Sequence, residues 1–261
     1  MSRSCVFCRG TPLTREHVIP RWLTSVLPEQ AKFRGQDQLI VLQSPGHTSS
    51  EIELPHREVR EPFNEVTVRM VCRNCNSGWM NAVEEAARAS ITKLARGEQI
   101  ELGSEEAEAL ATWAVKTTLM AHLTTVEGAS GIADVYSAFF AERKPPGNSV
   151  VWAAATGAEE WGLRFELVGA LIATEDEIQS YDLTEPVNTV SATFGLSKLL
   201  LHVVLTARPS VSYPPLDEIH PGAVERLWPN PRPVVLPPPL WFVSAGAWGI
   251  SRSFAFWMSA E

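Results

Sequence analysis

No stretch of this 261-residue chain reaches the ~18 uncharged apolar residues that a membrane helix needs. The best candidate, Leu199–Leu205 (LLLHVVL), is short and contains a histidine, so neither a membrane span nor a membrane partner is expected. The N-terminal MSRSCVFC has no apolar signal-peptide core, and a cytoplasmic location is expected. Cysteine is scarce: four residues are too few for a disulfide scaffold in a chain of this size. Lysine is scarce too, five against seventeen arginines. Guanidinium suits bidentate phosphate contacts, although GC-rich coding accounts for the bias as readily. No internal repeat is visible. What is present is globular: 45% hydrophobic and 20% charged residues argue against wholesale disorder. The length fits one large domain or two small ones, at ~150 residues each.

The net charge of −8 points away from nucleic acid, but it is unevenly spread. Residues 1–76 hold ten Lys/Arg against eight Asp/Glu, a net +2, and residues 77–261 hold twelve against twenty-two, a net −10. A polyanion-binding surface therefore belongs in the first third. A DNA duplex is expected to contact residues 1–80 and avoid the face made by 149–206.

Hydrophobic periodicity divides the chain into three parts, 1–97, 98–145 and 146–261. In the first, CVFCRG suits a knuckle turn at Cys5–Cys8. Leu13–Pro20 reads as extended, since Pro20 keeps Ile19 out of helical space. Arg21–Leu27 suits two helical turns, Gln38–Gln43 a strand, and Ser44–Ser50 a loop. Glu65–Val71 alternates apolar and polar residues as a half-buried strand does. A helix capped by Asn76 or Ser77 carries Trp79, Val83, Ala86, Ala87, Ile91 and Leu94 at helical spacing and stops at Gly97. A second helix, capped by Ser104, runs to about Leu123, and a third spans Ile132–Arg143. Lys144–Asn148 (KPPGN) suits a linker. Antiparallel strands follow at Val150–Ala155, Leu163–Val168, Asn188–Phe194 and Lys198–Thr206, with Gly195–Ser197 as a hairpin turn. The proline-rich C-terminus ends in aromatics at Trp241, Trp248, Phe254, Phe256 and Trp257, which suit a core or a strand edge.

The chemistry-bearing residues lie early. Cys5-Val6-Phe7-Cys8 and Cys72-Arg73-Asn74-Cys75 are two C-x-x-C units that use every cysteine. Each spacing lets two thiolates converge on one ion from a tight turn. Two such units complete an all-thiolate Zn²⁺ site, which must then clip together the segment between them. A redox C-x-x-C would sit beside a βαβ unit, and none is apparent here. Between the pairs lies Arg15-Glu16-His17-Val18-Ile19-Pro20, and directly after the second lies Asn76-Ser77-Gly78-Trp79-Met80.

In EHVIP and CRNCNSGWM together the sequence resembles the zinc-bearing HNH (ββα-metal) endonucleases over about residues 1–85. The pattern is similar to that of bacterial proteins of the "EHV-P … C-x-x-C-N-x-G-W-M" kind. The resemblance implies an α+β protein with an N-terminal ββα-metal zinc domain, to which composition adds a helical middle and an antiparallel β-rich C-terminal region. It implies His17 as general base and Glu16 and Asn76 as oxygen ligands of a catalytic Mg²⁺ or Mn²⁺. The zinc would pin the hairpin to the helix start. Arg15 and Arg21 flank the motif and suit phosphate, though solvated surface charge describes each equally well.

Neighbours on a strand face opposite ways, so Glu16 and His17 share a cleft only if the strand twists. Asn76 also reads as a plain helix cap, and His17 as a structural histidine. His47 and His56 read as loop residues. The chain departs from the family pattern in three places. Met80 stands where a second helical ligand is common, Asn64 is the candidate hairpin brace at loose spacing, and the stretch from His17 to Cys72 is long. The first expectation is therefore a metal-dependent endonuclease with DNA as partner. A zinc-stabilised nucleic-acid- or protein-binding module is the second. The third is the same scaffold turned to a substrate other than nucleic acid. Residues 146–261 are left to position substrate, bind a protein partner or join a homo-oligomer.

Overall fold

A computed structural model describes residues 4–27, 36–42, 50–53, 65–125, 129–156, 163–170, 187–208, 216–229, 233–238 and 241–242. Ser44–Ser49, with His47 among them, and His56, Asn64, Trp248, Phe254, Phe256 and Trp257 lie outside these residues.

The chain opens with the Cys5–Cys8 turn and β1 (Leu13–His17), followed by a 3₁₀ turn at Arg21–Ser25 just after Pro20. Next come β2 (Gln36–Leu42), β3 (Ser50–Glu53) and β4 (Thr67–Cys72). Helical backbone begins at once, at Arg73–Cys75, passes through a wide turn at Asn76–Met80 and becomes α1 (Asn81–Ala95). Helical backbone thus starts earlier than the expected Asn76 or Ser77 cap, because Cys72 is the last extended residue. Asn76 does not cap; its side chain crosses to β1. Gly97 does end the helix. Its φ of 79° is left-handed, and the Gly97 and Glu98 amides bond Leu94 and Lys93 carbonyls at 2.9 and 3.0 Å.

After β5 (Ile100–Leu102) comes α2 (Ser104–His122), nineteen residues long. Gly103, not Ser104, holds its cap position, and no side chain bonds there. Nearly every residue from Leu110 to His122 is buried, so this is a core helix with no solvent face along that stretch. Then follows α3 (Ala133–Glu142), close to the expected Ile132–Arg143, and it ends at Arg143 in left-handed conformation (φ 58°). The rest of the chain is β6 (Ser149–Thr156), β7 (Leu163–Ala170), β8 (Thr189–Leu196), β9 (Leu199–Thr206), a short α4 (Leu216–Ile219), β10 (Val224–Trp228), β11 (Val234–Leu236) and β12 (Trp241–Phe242).

The fold is α+β. Strands β10-β6-β9-β8-β7 form the antiparallel C-terminal sheet, in that order. Gly195 belongs to β8 and not to the β8–β9 turn, which is made by Ser197 and Lys198 with Ser197 at φ 54°. Side chains alternate across the sheet. Val151, Ala153, Val190, Ala192, Phe194, Leu201 and Val203 join one hydrophobic cluster with α2, where Trp113 meets Phe194 at 6.1 Å between ring centroids. The opposite face is buried as well and mixes apolar side chains such as Trp152, Leu200 and Val204 with polar pairs, Thr193 and His202 bonded at 2.9 Å and Thr189 and Thr206 at 2.8 Å.

Two facts join the three sequence parts. The hydrophobic cluster is continuous from Cys5 to Leu236. In addition, β2 pairs in parallel with β7, so the stretch between His17 and Cys72 reaches the C-terminal sheet. Among the described residues, no helix is long and apolar enough to cross a membrane.

Candidate functional site

The site is built on the β1–β4 hairpin. The strands are antiparallel, with Leu13 opposite Cys72 and His17 opposite Thr67, and the register slips opposite Arg15, where β4 carries one extra residue. The first cysteine turn is tied to this hairpin by the Val6 amide, which donates to the Met70 carbonyl at 2.8 Å. Its own loop closes through Cys5 N–H to Gly10 O at 3.0 Å and Arg9 N–H to Cys5 O at 2.9 Å. The Arg73 amide then donates to Pro12 O at 3.2 Å, which brings the second C-x-x-C against the first.

Four sulfurs result, from Cys5, Cys8, Cys72 and Cys75, all within 4.8 Å of one another. Cys8 and Cys72 Sγ are 3.4 Å apart, far beyond the ~2.05 Å of a disulfide, and all four are free thiols. Tetrahedral Zn–S bonds of ~2.3 Å would put sulfurs about 3.8 Å apart, so the cluster is the right size for a metal ion and consistent with zinc. Gly10 is part of the cradle. Its amide donates to Cys8 Sγ at 3.3 Å, and a Cβ there would lie 3.1 Å from that sulfur. Burial works to raise the Cys72 thiol, but bonds from the Cys75 amide and the neighbouring thiols outweigh it, and Cys72 settles at about 7. Burial pushes Cys8 and, much further, Cys75 upward.

His17 lies at the far end of β1 in a cleft of ≈ 550 Å³ lined by Arg15, His17, Arg21, Thr24, Glu65 and Thr67. Arg15 and His17 face the same way because they are two residues apart on a strand. Burial, with the Arg21 guanidinium second, lowers the His17 imidazole below its ordinary 6.5; Glu84 works weakly the other way. The ring is therefore largely neutral at pH 7.

Glu16 and Asn76 do not line this cleft. Glu16 points to the opposite face of β1 and is buried. Its Oε1 lies 3.4 Å from Lys116 Nζ, and Lys116, fully buried in the middle of α2, also holds Glu84 Oε1 at 2.6 Å. Burial raises the Glu16 carboxyl and Lys116 only partly offsets this. Asn76 Nδ2 donates to Thr14 Oγ1 at 3.2 Å and to the Arg15 carbonyl at 3.3 Å, so the residue braces the hairpin from the helix side. That is the role for which Asn64 was the candidate. Met80 is completely buried in the core.

The structure thus brings together the four cysteines, and separately His17 with Arg15 and Arg21, while Glu16 and Asn76 serve the scaffold in this arrangement. Sequence reasoning missed Lys116, Glu84, Glu65, Thr24 and Thr67. Lys116 alone carried a signal, as the one charge inside Trp113-Ala-Val-Lys-Thr-Thr-Leu-Met120. Comparison with known protein families, with curated proteins and with solved structures finds no match to this chain.

Proposed function

We propose that this chain is an HNH-type nuclease that hydrolyses DNA phosphodiester bonds with His17 as general base, on a scaffold clipped together by Zn²⁺ at Cys5, Cys8, Cys72 and Cys75. The observation that carries the reading is the cleft that holds a lowered-pKa histidine between two arginines. A neutral imidazole accepts a proton from water near neutral pH, and Arg15 and Arg21 would bind the phosphate that such a water attacks. Further support comes from the order of parts: a thiol-pinned hairpin, then a helix starting at the second C-x-x-C.

Cation dependence belongs to the proposal. A Mg²⁺ or Mn²⁺ ion would neutralise charge on the phosphate and on the leaving oxygen. The expected donors, Glu16 and Asn76, are committed to Lys116 and to β1, whereas Glu65 is the carboxylate that lines the cleft. With those commitments in place, the proposed hydrolysis assigns no step to Glu16 or Asn76.

A plasmid-nicking assay with Mg²⁺ or Mn²⁺, wild type beside His17→Ala, tests the reading. Nicking by the wild type that falls ~10²–10⁴-fold in the variant supports it, and a wild type that leaves the plasmid intact with either ion refutes it. A second reading, a zinc-stabilised binding module without turnover, is favoured by the sequestration of Glu16 and Met80. It requires salt-dependent DNA binding with no nicking, which a gel-shift titration of the same protein at several salt concentrations reads.

A further inference from the structure

The wall of the four-cysteine site away from the β1–β4 hairpin is aromatic. Phe7 stands edge-on to Trp79, with ring centroids 5.1 Å apart, and Phe139 and Phe140 close round the indole at 5.6 and 6.2 Å. Into this apolar wall the chain places one full charge. Arg143 ends α3 in left-handed backbone, and its guanidinium lies 3.8 Å from the Phe140 ring centroid and 4.5 Å from that of Trp79.

Two N–H donors there are buried and reach no acceptor with full hydrogen-bond geometry, Arg143 Nη1 and Trp79 Nε1. Buried donors of this kind destabilise a fold unless something satisfies them. Both belong to the surroundings of the thiols: Trp79 stands one helical turn after Cys75 and packs on Phe7 of the first C-x-x-C, and Arg143 lies over Trp79, where its charge acts on Cys75 and Cys8. Four thiolates around one divalent ion leave about two excess negative charges, in a site where Cys5, Cys72 and Cys75 are buried. Charge in such surroundings needs compensation from the protein, because little water is present to give it.

We propose that Arg143 and Trp79 form the charge-compensating wall of the metal site, the guanidinium held on its aromatic shelf as counter-ion to Cys8 and Cys75 and the indole N–H bonding Cys75 Sγ once that sulfur is ligated. The proposal rests on a metal at the four cysteines and not on the nuclease reading. It also gives α3 a function: its C-terminus carries the cation that a knuckle in the N-terminal part needs. The loop geometry accommodates this. Arg143 takes the left-handed C-cap position of α3, and its side chain lies over the Trp79 and Phe140 rings.

The test is metal affinity of the full chain by competition with a chromophoric chelator, with Co²⁺ as a spectroscopic stand-in for Zn²⁺. Wild type, Arg143→Met, Arg143→Lys and Trp79→Phe are compared. Methionine keeps the apolar contact with the rings and removes the charge; phenylalanine keeps the ring and removes the N–H. Affinity is expected to fall ~10–100-fold in Arg143→Met and by a smaller factor in Trp79→Phe. Arg143→Lys should recover most of the loss. The thiolate-to-cobalt absorption should keep its wild-type shape in every variant, because all four ligands remain.

Unchanged affinity in both Arg143→Met and Trp79→Phe overturns the proposal. So does Arg143→Lys as weak as Arg143→Met, which would assign the effect to packing on the rings. A wild type that takes up neither metal refutes the metal site itself, a failure distinct from the other two.

Discussion

Lys116 is the residue on which the joint between the hairpin and the core helix depends, and replacing it by methionine tests that joint. Methionine matches the length and supplies no charge. In the native structure Lys116 is fully buried, with Nζ 2.6 Å from Glu84 and 3.4 Å from Glu16, whose side chains are only 15% and 10% exposed. At an effective dielectric of about 20, unit charges at these distances attract by about 6 and 5 kcal/mol. Desolvation of three charges and repulsion between the carboxylates offset most of this. The net loss on removing the lysine is set by two buried carboxylates left without a cation, about 3–5 kcal/mol.

For a chain of this length that corresponds to a fall in Tm of about 6–20 °C. Circular dichroism at fixed zinc concentration reads it. The pH dependence has a definite sign. Without Lys116 the Glu16 carboxyl, already raised by burial, loses the cation that offsets that rise and titrates still higher in the folded chain. The folded state then binds more protons as pH rises past about 4.5. The variant should therefore lose further stability between pH 5 and pH 8 relative to wild type. Adding Glu84→Gln to Lys116→Met should restore part of the loss, since the neutral amide needs no counter-ion. A Tm within about 2 °C of wild type, on the order of 1 kcal/mol or less, or no rescue by the second change, would refute the account.

Three other outcomes are expected. Cys75→Ser, or chelation of wild type, should abolish cooperative folding of the N-terminal part, since structural zinc is worth ~10–16 kcal/mol in small peptides; elemental analysis below half an equivalent per chain would count against it. If His17 is the base, the acid limb of the nicking rate should fall below pH 6.5, and Arg21→Gln should move that limb upward, toward the ordinary histidine value, because it removes a cation that lowers His17. His122 and His202 are buried with their imidazoles lowered by burial to about 4 and about 3. The unfolded chain alone takes up those protons below pH 6.5, so stability is complete above that pH. It should decline by roughly 1.4 kcal/mol per group per pH unit as the solution is acidified toward pH 4, and a His202→Gln variant whose thermal stability falls as steeply would dispose of the idea.

Several elements were legible along the chain because their causes are local. The strand at Thr67–Cys72 shows alternation, the α1 stop shows a glycine that can turn left-handed, and β6, β8 and β9 show apolar runs of strand length between turn residues. The four-cysteine cluster was legible for a different reason: two-residue spacing fixes the geometry of each thiol pair, and only one further pair exists to complete the site. The caps were misplaced because Asn76 and Ser104 have the chemistry of a cap, while the backbone turned helical at Arg73 and put Gly103 at the second cap position.

The amino-acid sequence by itself determined the two converging cysteine pairs and the alternation that puts Arg15 and His17 on one face of β1. These depend on spacing and period, which the covalent chain carries. Only the tertiary structure decided what became of Glu16. Whether a carboxylate beside a histidine enters a cleft or turns inward depends on what lies beneath the strand, and beneath it lies Lys116, a hundred residues further on. The tertiary structure likewise made Asn76 a brace, set Glu65 in the His17 cleft and laid Arg143 over Trp79. Each outcome is fixed by a long-range partner, and attraction between groups so distant in sequence exists only once the core has closed around them.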